Sequence, residues 1–323
     1  MENVKIFSGR IHQELAKQIA EKVHMKLGDI IINNFPDGEI QVQINESVRG
    51  KNIFIIQPTC YPVNESIMEL LIIIDACRRA SANEISVLIP YFGYSRQSKK
   101  STGREPISAK LITNLLVKAG ADRLISVDLH KPQIQAYMDK PFDHLSACGI
   151  FLNYLKKKKF NNPVIVAPDL GKAKLAEKFS SSLNYPMIIM YKKKLIKDKN
   201  KDVRFGGIIG DVKDKTPIIV DDIIANGTAV DQALALLDYG CKDEIYFIAT
   251  HPVLLADAME RLTHPAIKEV IVTNSIPVEH KKKNLPKLQI LSLADMLAEV
   301  IYRIQHNLSV SKVFHKQRID FPV

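Results

Sequence analysis

Apolar residues along the chain fall into two rhythms. The first is a series of short, nearly all-apolar runs of strand length. They are "VKIF" (4–7), "IFII" (53–56), "ISVLI" (85–89), "LISV" (124–127), "VIVA" (164–167), "MIIM" (187–190), "PIIV" (217–220), "IYFIAT" (245–250) and "EVIVT" (269–273). Runs without a polar face fit strands covered on both sides. The second rhythm lies between them. "ESIMELLIIIDACRRASA" and "PISAKLITNLLVKAG" repeat their apolar residues at helical spacing. "IQVQI" (40–44) instead alternates strictly and follows the Asp-Gly of "FPDGE", which predicts a hairpin turn. Strand–helix alternation predicts an α/β fold with mostly parallel sheets. The strands are too many for one small sheet in 323 residues, so two α/β domains are expected, with a boundary between 141 and 160.

Composition narrows the function classes. At 46% hydrophobic and 25% charged the chain reads as soluble and globular. No apolar run approaches the ~18 residues of a membrane span, and "MENVKIFSGR" lacks a signal-peptide pattern. Cys60, Cys77, Cys148 and Cys241 form no CxxC pair, which predicts reduced thiols and a cytoplasmic protein without a Zn-type cluster. The formal charge is +10, concentrated at 156–159, 192–201 and 281–283. Such runs are ordinary solvated surface, or they face an anionic partner. No aromatic residues interleave them and Trp is missing altogether, which argues against a nucleic-acid stacking platform.

Parallel sheets place ligands beyond the carboxyl ends of their strands. Those ends read "NNFPDGE", "PYFGYSRQSKKSTGREP", "DLHKPQIQ", "APDLGKAK", "YKKKLIKDKNK", "DDIIANGT" and "THPVLLA". Acids and bases together suit a phosphorylated substrate with a metal. In "IIVDDIIANGTAV" an apolar run meets two adjacent carboxylates, then an Asn-Gly-Thr turn and a helix-like segment. On residues alone this is a binding site or a plain strand–turn–helix whose acids cap the helix.

Taken together, "SGR", "FPDGEIQVQINESVRG", "IPYFGYSRQ", "REPISAKL", "DLHKPQIQAYMDKPFDHL", "APDLG", "IIGDVKDK", "VDDII" and "THPV" resemble the ribose-phosphate diphosphokinase family, in order and over essentially the whole chain. The resemblance implies two phosphoribosyltransferase-like domains, each a mostly parallel sheet flanked by helices. Residues 1–145, joined by the tail 295–323, would form the ATP-contacting and oligomerisation domain. Residues 146–294 would bind ribose 5-phosphate. The implied reaction moves diphosphate from ATP to the 1-hydroxyl of ribose 5-phosphate, with Mg²⁺, in a homo-hexamer with no nucleic-acid or membrane partner.

The resemblance also distributes roles. Asp221 and Asp222 would accept hydrogen bonds from the ribose hydroxyls. Ala225, Asn226, Gly227 and Thr228 would cradle the 5-phosphate. Phe35, Asp37, Gly38 and Glu39 would meet the adenine of a neighbouring subunit's ATP, and Arg96 and Gln97 would bind the nucleotide. His130 and Asp169 would contact the metal, and Lys192 and Lys194 would neutralise transferring phosphates. Arg49, Ser309, Ser311 and Phe314 would line a regulatory site for phosphate or ADP. This chain departs from the family's pattern in four places: a phosphate loop one residue short, Lys194 in place of Arg, Lys172 in place of Gly and Ser98 in place of Asp. Lys172 is expected beside the metal and phosphates. The departures leave two readings open, an active synthetase with altered kinetics and a weak paralogue that regulates one.

Overall fold

The computed structural model describes residues 3–194 and 203–315. The chain forms two compact units. One comprises Met1–Ala147 with Ser275–Pro277 and Ser292–Val323; the other comprises Cys148–Asn274 with Val278–Leu291.

In the first unit, strands β1 (Val4–Ser8), β4 (Asn52–Ile56), β5 (Glu84–Ile89), β6 (Arg123–Val127) and β7 (Phe142–Leu145) form a wholly parallel sheet in that order. Strands β2 (Ile30–Asn34) and β3 (Ile40–Ile44) form a separate antiparallel hairpin. Helices α1 (Gln13–Lys22), α2 (Val63–Arg79) and α3 (Ser108–Ala119) connect these strands. Ile67, Leu70, Ile73, Ile74 and Cys77 of α2 are buried at helical spacing. They share a core with Phe7, Ile53, Ile55 and Val87. Each fully buried aliphatic or aromatic side chain contributes about 1.5–3 kcal/mol.

The second unit carries a seven-stranded sheet. Its strands are β8 (Pro163–Ala167), β9 (Met187–Lys194), β10 (Val203–Ile209), β11 (Thr216–Ile224), β12 (Ile245–Pro252), β13 (Ile267–Thr273) and β14 (Leu288–Leu291). The order is β10-β9-β8-β11-β12-β13-β14, and only the β9–β10 pair is antiparallel. Helices α4 (Cys148–Leu155), α5 (Ala173–Leu183), α6 (Gly227–Leu234) and α7 (Ala256–Leu262) complete it. Val164, Val166, Ile219, Phe247 and Val270 are buried in its core. The chain then returns to the first unit as α8 (Ala294–Gln305) and α9 (Ser311–His315). Among the described residues no helix is long and apolar enough to cross a membrane.

Strands β2, β7, β10 and β14 were not anticipated from the apolar pattern. β7 and β14 are four-residue edge strands, and β10 reads "VRFGGII", with glycines that break the run. Pairing to a formed neighbour makes them strands.

The winding of the second sheet positions its site. From β8 the chain adds β9 and β10 on one side, then crosses to add β11 on the other. The crevice beyond the carboxyl ends of β8 and β11 is thus a topological switch point, the usual ligand position in such sheets.

Candidate active site

Asp221 and Asp222 stand at this switch point. The expected strand end at Val220 is extended: β11 runs on to Ile224, because Ile223 and Ile224 stay in register with His251 and Pro252 of β12. On the other edge, β8 pairs with β11 only as far as Ile219. The acids therefore lie where β11 is paired on one side and has passed its partner on the other.

The turn after β8 supplies what fills that gap. Lys172 Nζ lies 2.5 Å from Asp222 Oδ1 and 3.3 Å from Asp221 Oδ1. The three side chains are 13%, 8% and 12% exposed, in the order Lys172, Asp222, Asp221. Sequence places Lys172 near metal and phosphate; the structure places its ammonium on the acid pair. The Asp222 backbone N–H donates to Asp221 Oδ1 at 2.7 Å. Burial pushes the Asp221 carboxyl up to about 7, and the Asp222 carboxylate adds to the shift while Lys172 opposes it. Lys172 titrates above the usual lysine range because its two carboxylate partners outweigh the cost of burying its charge. The two shifts point opposite ways, Asp221 away from its charged form and Lys172 towards it. Geometry supports both: the ammonium is closer to Asp222, which leaves Asp221 the more weakly compensated acid.

Ala225, Asn226, Gly227 and Thr228 follow directly. Asn226 is extended, and α6 begins at Gly227. The loop is tied to the segment after β12: Leu254 and Leu255 donate their N–H groups to the carbonyls of Ile224 and Ala225 at 2.9 and 2.8 Å. Lys281 in turn donates to the carbonyls of Val253 and Leu254 at 2.7 and 2.8 Å. The Gly227 N–H points at a carboxylate, Asp257 Oδ2 at 2.7 Å. This bond is the first of several influences holding Asp257 below the usual carboxylate range. Arg261, ion-paired with Asp231, packs over Gly227. A Cβ there would lie 2.5 Å from Arg261 Cδ, so a side chain at this position would push the Arg261 side chain aside.

Asp169 lies two residues beyond β8, just ahead of the turn Leu170–Lys172, and is half-buried. With Leu170, Gly171, Tyr191 and Ile209 it lines a cleft of about 660 Å³. Lys192 and Lys194 belong to β9 by backbone, but their side chains lie outside the described ones, as does the rest of the predicted catalytic segment through 201. His130 lies just beyond β6 in the first unit and is half-buried. No group of three or more His, Cys, Asp or Glu that could hold a metal occurs among the described residues. Mg²⁺ takes one or two carboxylates and completes its shell with water and substrate phosphates; the half-buried Asp169 carboxylate is a donor of that type.

In the first unit, Phe35–Glu39 forms the tip of the β2–β3 hairpin. Phe35 N–H donates to the Glu39 carbonyl at 2.8 Å, and Gly38 N–H to the Phe35 carbonyl at 2.9 Å. Gly38 has φ +96°, which only glycine adopts readily. Asp37 Oδ1 accepts the Glu39 N–H at 3.2 Å, and the Phe35 ring is 46% exposed. Asn34 braces the turn by donating to the Gly38 carbonyl at 3.2 Å, and Arg10 Nη1 donates to Asn34 Oδ1 at 2.5 Å. Arg10 is anchored in turn: buried Glu69 accepts its backbone N–H at 2.7 Å and its Nε at 2.6 Å. Arg96 and Gln97 are exposed and line a cavity of about 810 Å³ with Tyr61, Asn64, Glu65 and Tyr94. Ser108 Oγ donates to Gln97 Oε1 at 2.7 Å. Ser98 is buried, and its backbone carbonyl accepts from Tyr137 Oη.

The Ser309 and Ser311 hydroxyls lie 2.6 Å apart on the surface. Arg303, paired with buried Glu299 at 2.6 Å, donates to the Ser309 carbonyl at 3.1 Å. Arg49 is exposed, and the Phe314 side chain lies outside the described ones.

Arg10, Asp257 and Arg261 were missed by sequence reasoning. Arg10 sits in the quoted "SGR", but nothing local showed that it reaches Asn34. Asp257 lies 30 residues from Gly227, and no local motif links the two.

Residues 4–120 match the N-terminal domain of ribose phosphate pyrophosphokinase, and residues 197–315 match the phosphoribosyl synthetase-associated domain. A ribose-phosphate pyrophosphokinase of Caldanaerobacter subterraneus is 47% identical over 97% of this chain and 98% of its own length. One from Gloeobacter violaceus is 45% identical over 97% and 93%. The crystal structure of phosphoribosylpyrophosphate synthetase from Mycobacterium smegmatis superposes with a TM-score of 0.87 at 40% identity, covering 94% of this chain and 99% of that one.

Proposed function

Because the chain belongs to the ribose-phosphate pyrophosphokinase family, we propose a division of labour among its residues for that reaction. The enzyme transfers diphosphate from ATP to the 1-hydroxyl of ribose 5-phosphate, giving phosphoribosyl pyrophosphate and AMP. One observation carries the assignment of its sugar site. An adjacent acid pair sits at the switch point of the second sheet, directly ahead of a Gly-Thr turn that opens α6.

Asp221 and Asp222 accept from the ribose hydroxyls. The turn at Asn226–Thr228 and the N-terminus of α6 receive the 5-phosphate. The Phe35 face and the Asp37 and Glu39 carboxylates recognise adenine from a neighbouring subunit, in a homo-hexamer. Arg96 and Gln97 hold the nucleotide. Lys192 and Lys194 cancel charge on the transferring diphosphate, a reaction that depends mainly on positioning and electrostatics. Asp169 of the second unit would hold Mg²⁺, which would supply charge neutralisation on the phosphate oxygens, and the family resemblance assigns His130 of the first unit a metal contact as well. Arg49, Ser309, Ser311 and Phe314 receive phosphate or ADP as effector. The four cysteines are free thiols, which fits a reducing cytoplasm.

Relatives of the same name spanning nearly the full chain favour the enzyme over a weak paralogue. AMP release from ATP, measured with and without ribose 5-phosphate and Mg²⁺, tests this. Release that needs both is expected; none under any condition sinks the reading.

A further inference from the structure

The Lys172 ammonium lies against two neighbouring carboxylates, all three nearly buried. A cation between two carboxylates is also what a bridging divalent ion would be. Here the cation is part of the chain. It is held by the short turn Leu170–Lys172 where β8 has stopped pairing with β11. Two adjacent buried acids without a counter-charge repel each other and resist ionisation. The ammonium offsets part of that repulsion without using up the acids. Each carboxylate has about four acceptor positions, and one ammonium has only three donors for the pair. Acceptor capacity remains for neutral hydroxyls, while a second cation meets a positive charge already in place.

We propose that Lys172 is a specificity-determining residue of the sugar site: a tethered cation that holds the place of a bridging metal ion between Asp221 and Asp222 and reserves the pair for the hydroxyls of its ligand. The proposal rests on Asp221 and Asp222 being the ribose-binding acids. It predicts that the Mg²⁺ used in the reaction is held elsewhere, and that removing the ammonium creates a new metal site.

Electron paramagnetic resonance with Mn²⁺ as probe, on the full chain without nucleotide, tests it. Lys172→Met is expected to bind one more Mn²⁺ than wild type, and adding Asp221→Asn to Lys172→Met is expected to remove it. Lys172→Arg, which keeps the charge, is expected to match wild type. If Lys172→Met gains no Mn²⁺, the proposal is wrong. The native background gives a second reading that does not depend on Lys172→Met folding. Asp222→Asn alone is expected to leave the Mn²⁺ count unchanged, and a lost Mn²⁺ overturns the proposal. Calorimetry of ribose 5-phosphate on the same Asp222→Asn protein separates the underlying reading. Binding that weakens about ten-fold or more supports the sugar assignment. Unchanged binding removes that assignment and the selectivity for hydroxyls with it, whatever the Mn²⁺ counts show about the cation.

Discussion

The Asp257 carboxylate accepts the Gly227 N–H at 2.7 Å, so the first amide of α6 already faces an anion. A helix N-terminus and its free N–H groups attract phosphate, and here an aspartate from the next helix stands in that position. Leu254 and Leu255, just ahead of Asp257 in the chain, donate to the carbonyls of Ile224 and Ala225.

The first prediction follows from this contact. A 5-phosphate entering the turn must displace Asp257 or bear its charge. Asp257→Ala is expected to tighten ribose 5-phosphate binding about ten-fold, through a freed donor and one fewer like charge. Calorimetry on both proteins measures it. Equal affinities mean that the Gly227 N–H is not a phosphate donor.

Asp221 links folding to pH. Its carboxyl is raised from an ordinary 3.8 to about 7, by burial first. Between those values the folded protein holds a proton that the unfolded chain releases. Stability from this group therefore falls as pH rises from about 4 to about 7 and is level above. Lys172 is shifted above its ordinary 10.5 and does not titrate in this window. The Tm difference between wild type and Asp221→Asn, scanned from about pH 5 to 8, should shift in favour of the variant as pH rises. A difference independent of pH contradicts the shift.

Arg10 connects buried Glu69 to the hairpin tip through Asn34 and Gly38. If that tip meets adenine, loosening it affects nucleotide capture more than chemistry. Arg10→Met is expected to raise KM for ATP about ten-fold, as a charge-assisted hydrogen bond is worth ~1.5–3 kcal/mol, with kcat nearly unchanged. Arg10→Lys should recover part of the loss. A fall in kcat alone would place Arg10 elsewhere in the mechanism.

Lys192→Ala tests charge cancellation during transfer. Removing one transition-state donor typically costs ~10²–10³ in kcat, with a smaller change in KM for ATP. A variant that keeps more than about half the wild-type rate takes Lys192 out of the chemistry, since that loss is far below what such a donor supplies.

Oligomerisation is testable by dilution. If Phe35–Glu39 completes a neighbour's ATP site, activity per mole should fall as subunits separate. Light scattering and assays across the same dilution series check it; constant specific activity in monomers contradicts it.

The sequence by itself determined the strand–helix alternation, the hairpin turn at Asp37-Gly38 and the order of the polar loops. These are local properties. A run such as "VIVA" excludes a polar face, and Gly38 meets a backbone need that few residues meet. The family resemblance, carried by contiguous motifs, was readable for the same reason. Tertiary structure decided the rest. Strand β11 continues through its acids because β12 offers a partner there, while β8 does not. Lys172 is a loop lysine in sequence and becomes the acids' counter-ion only once β8 and β11 lie side by side. Arg10 is 59 residues from Glu69, and Asp257 is 30 from Gly227. Periodicity reports which face of an element is apolar, but a charge's partner depends on which strands become neighbours, and that is set by long-range pairing.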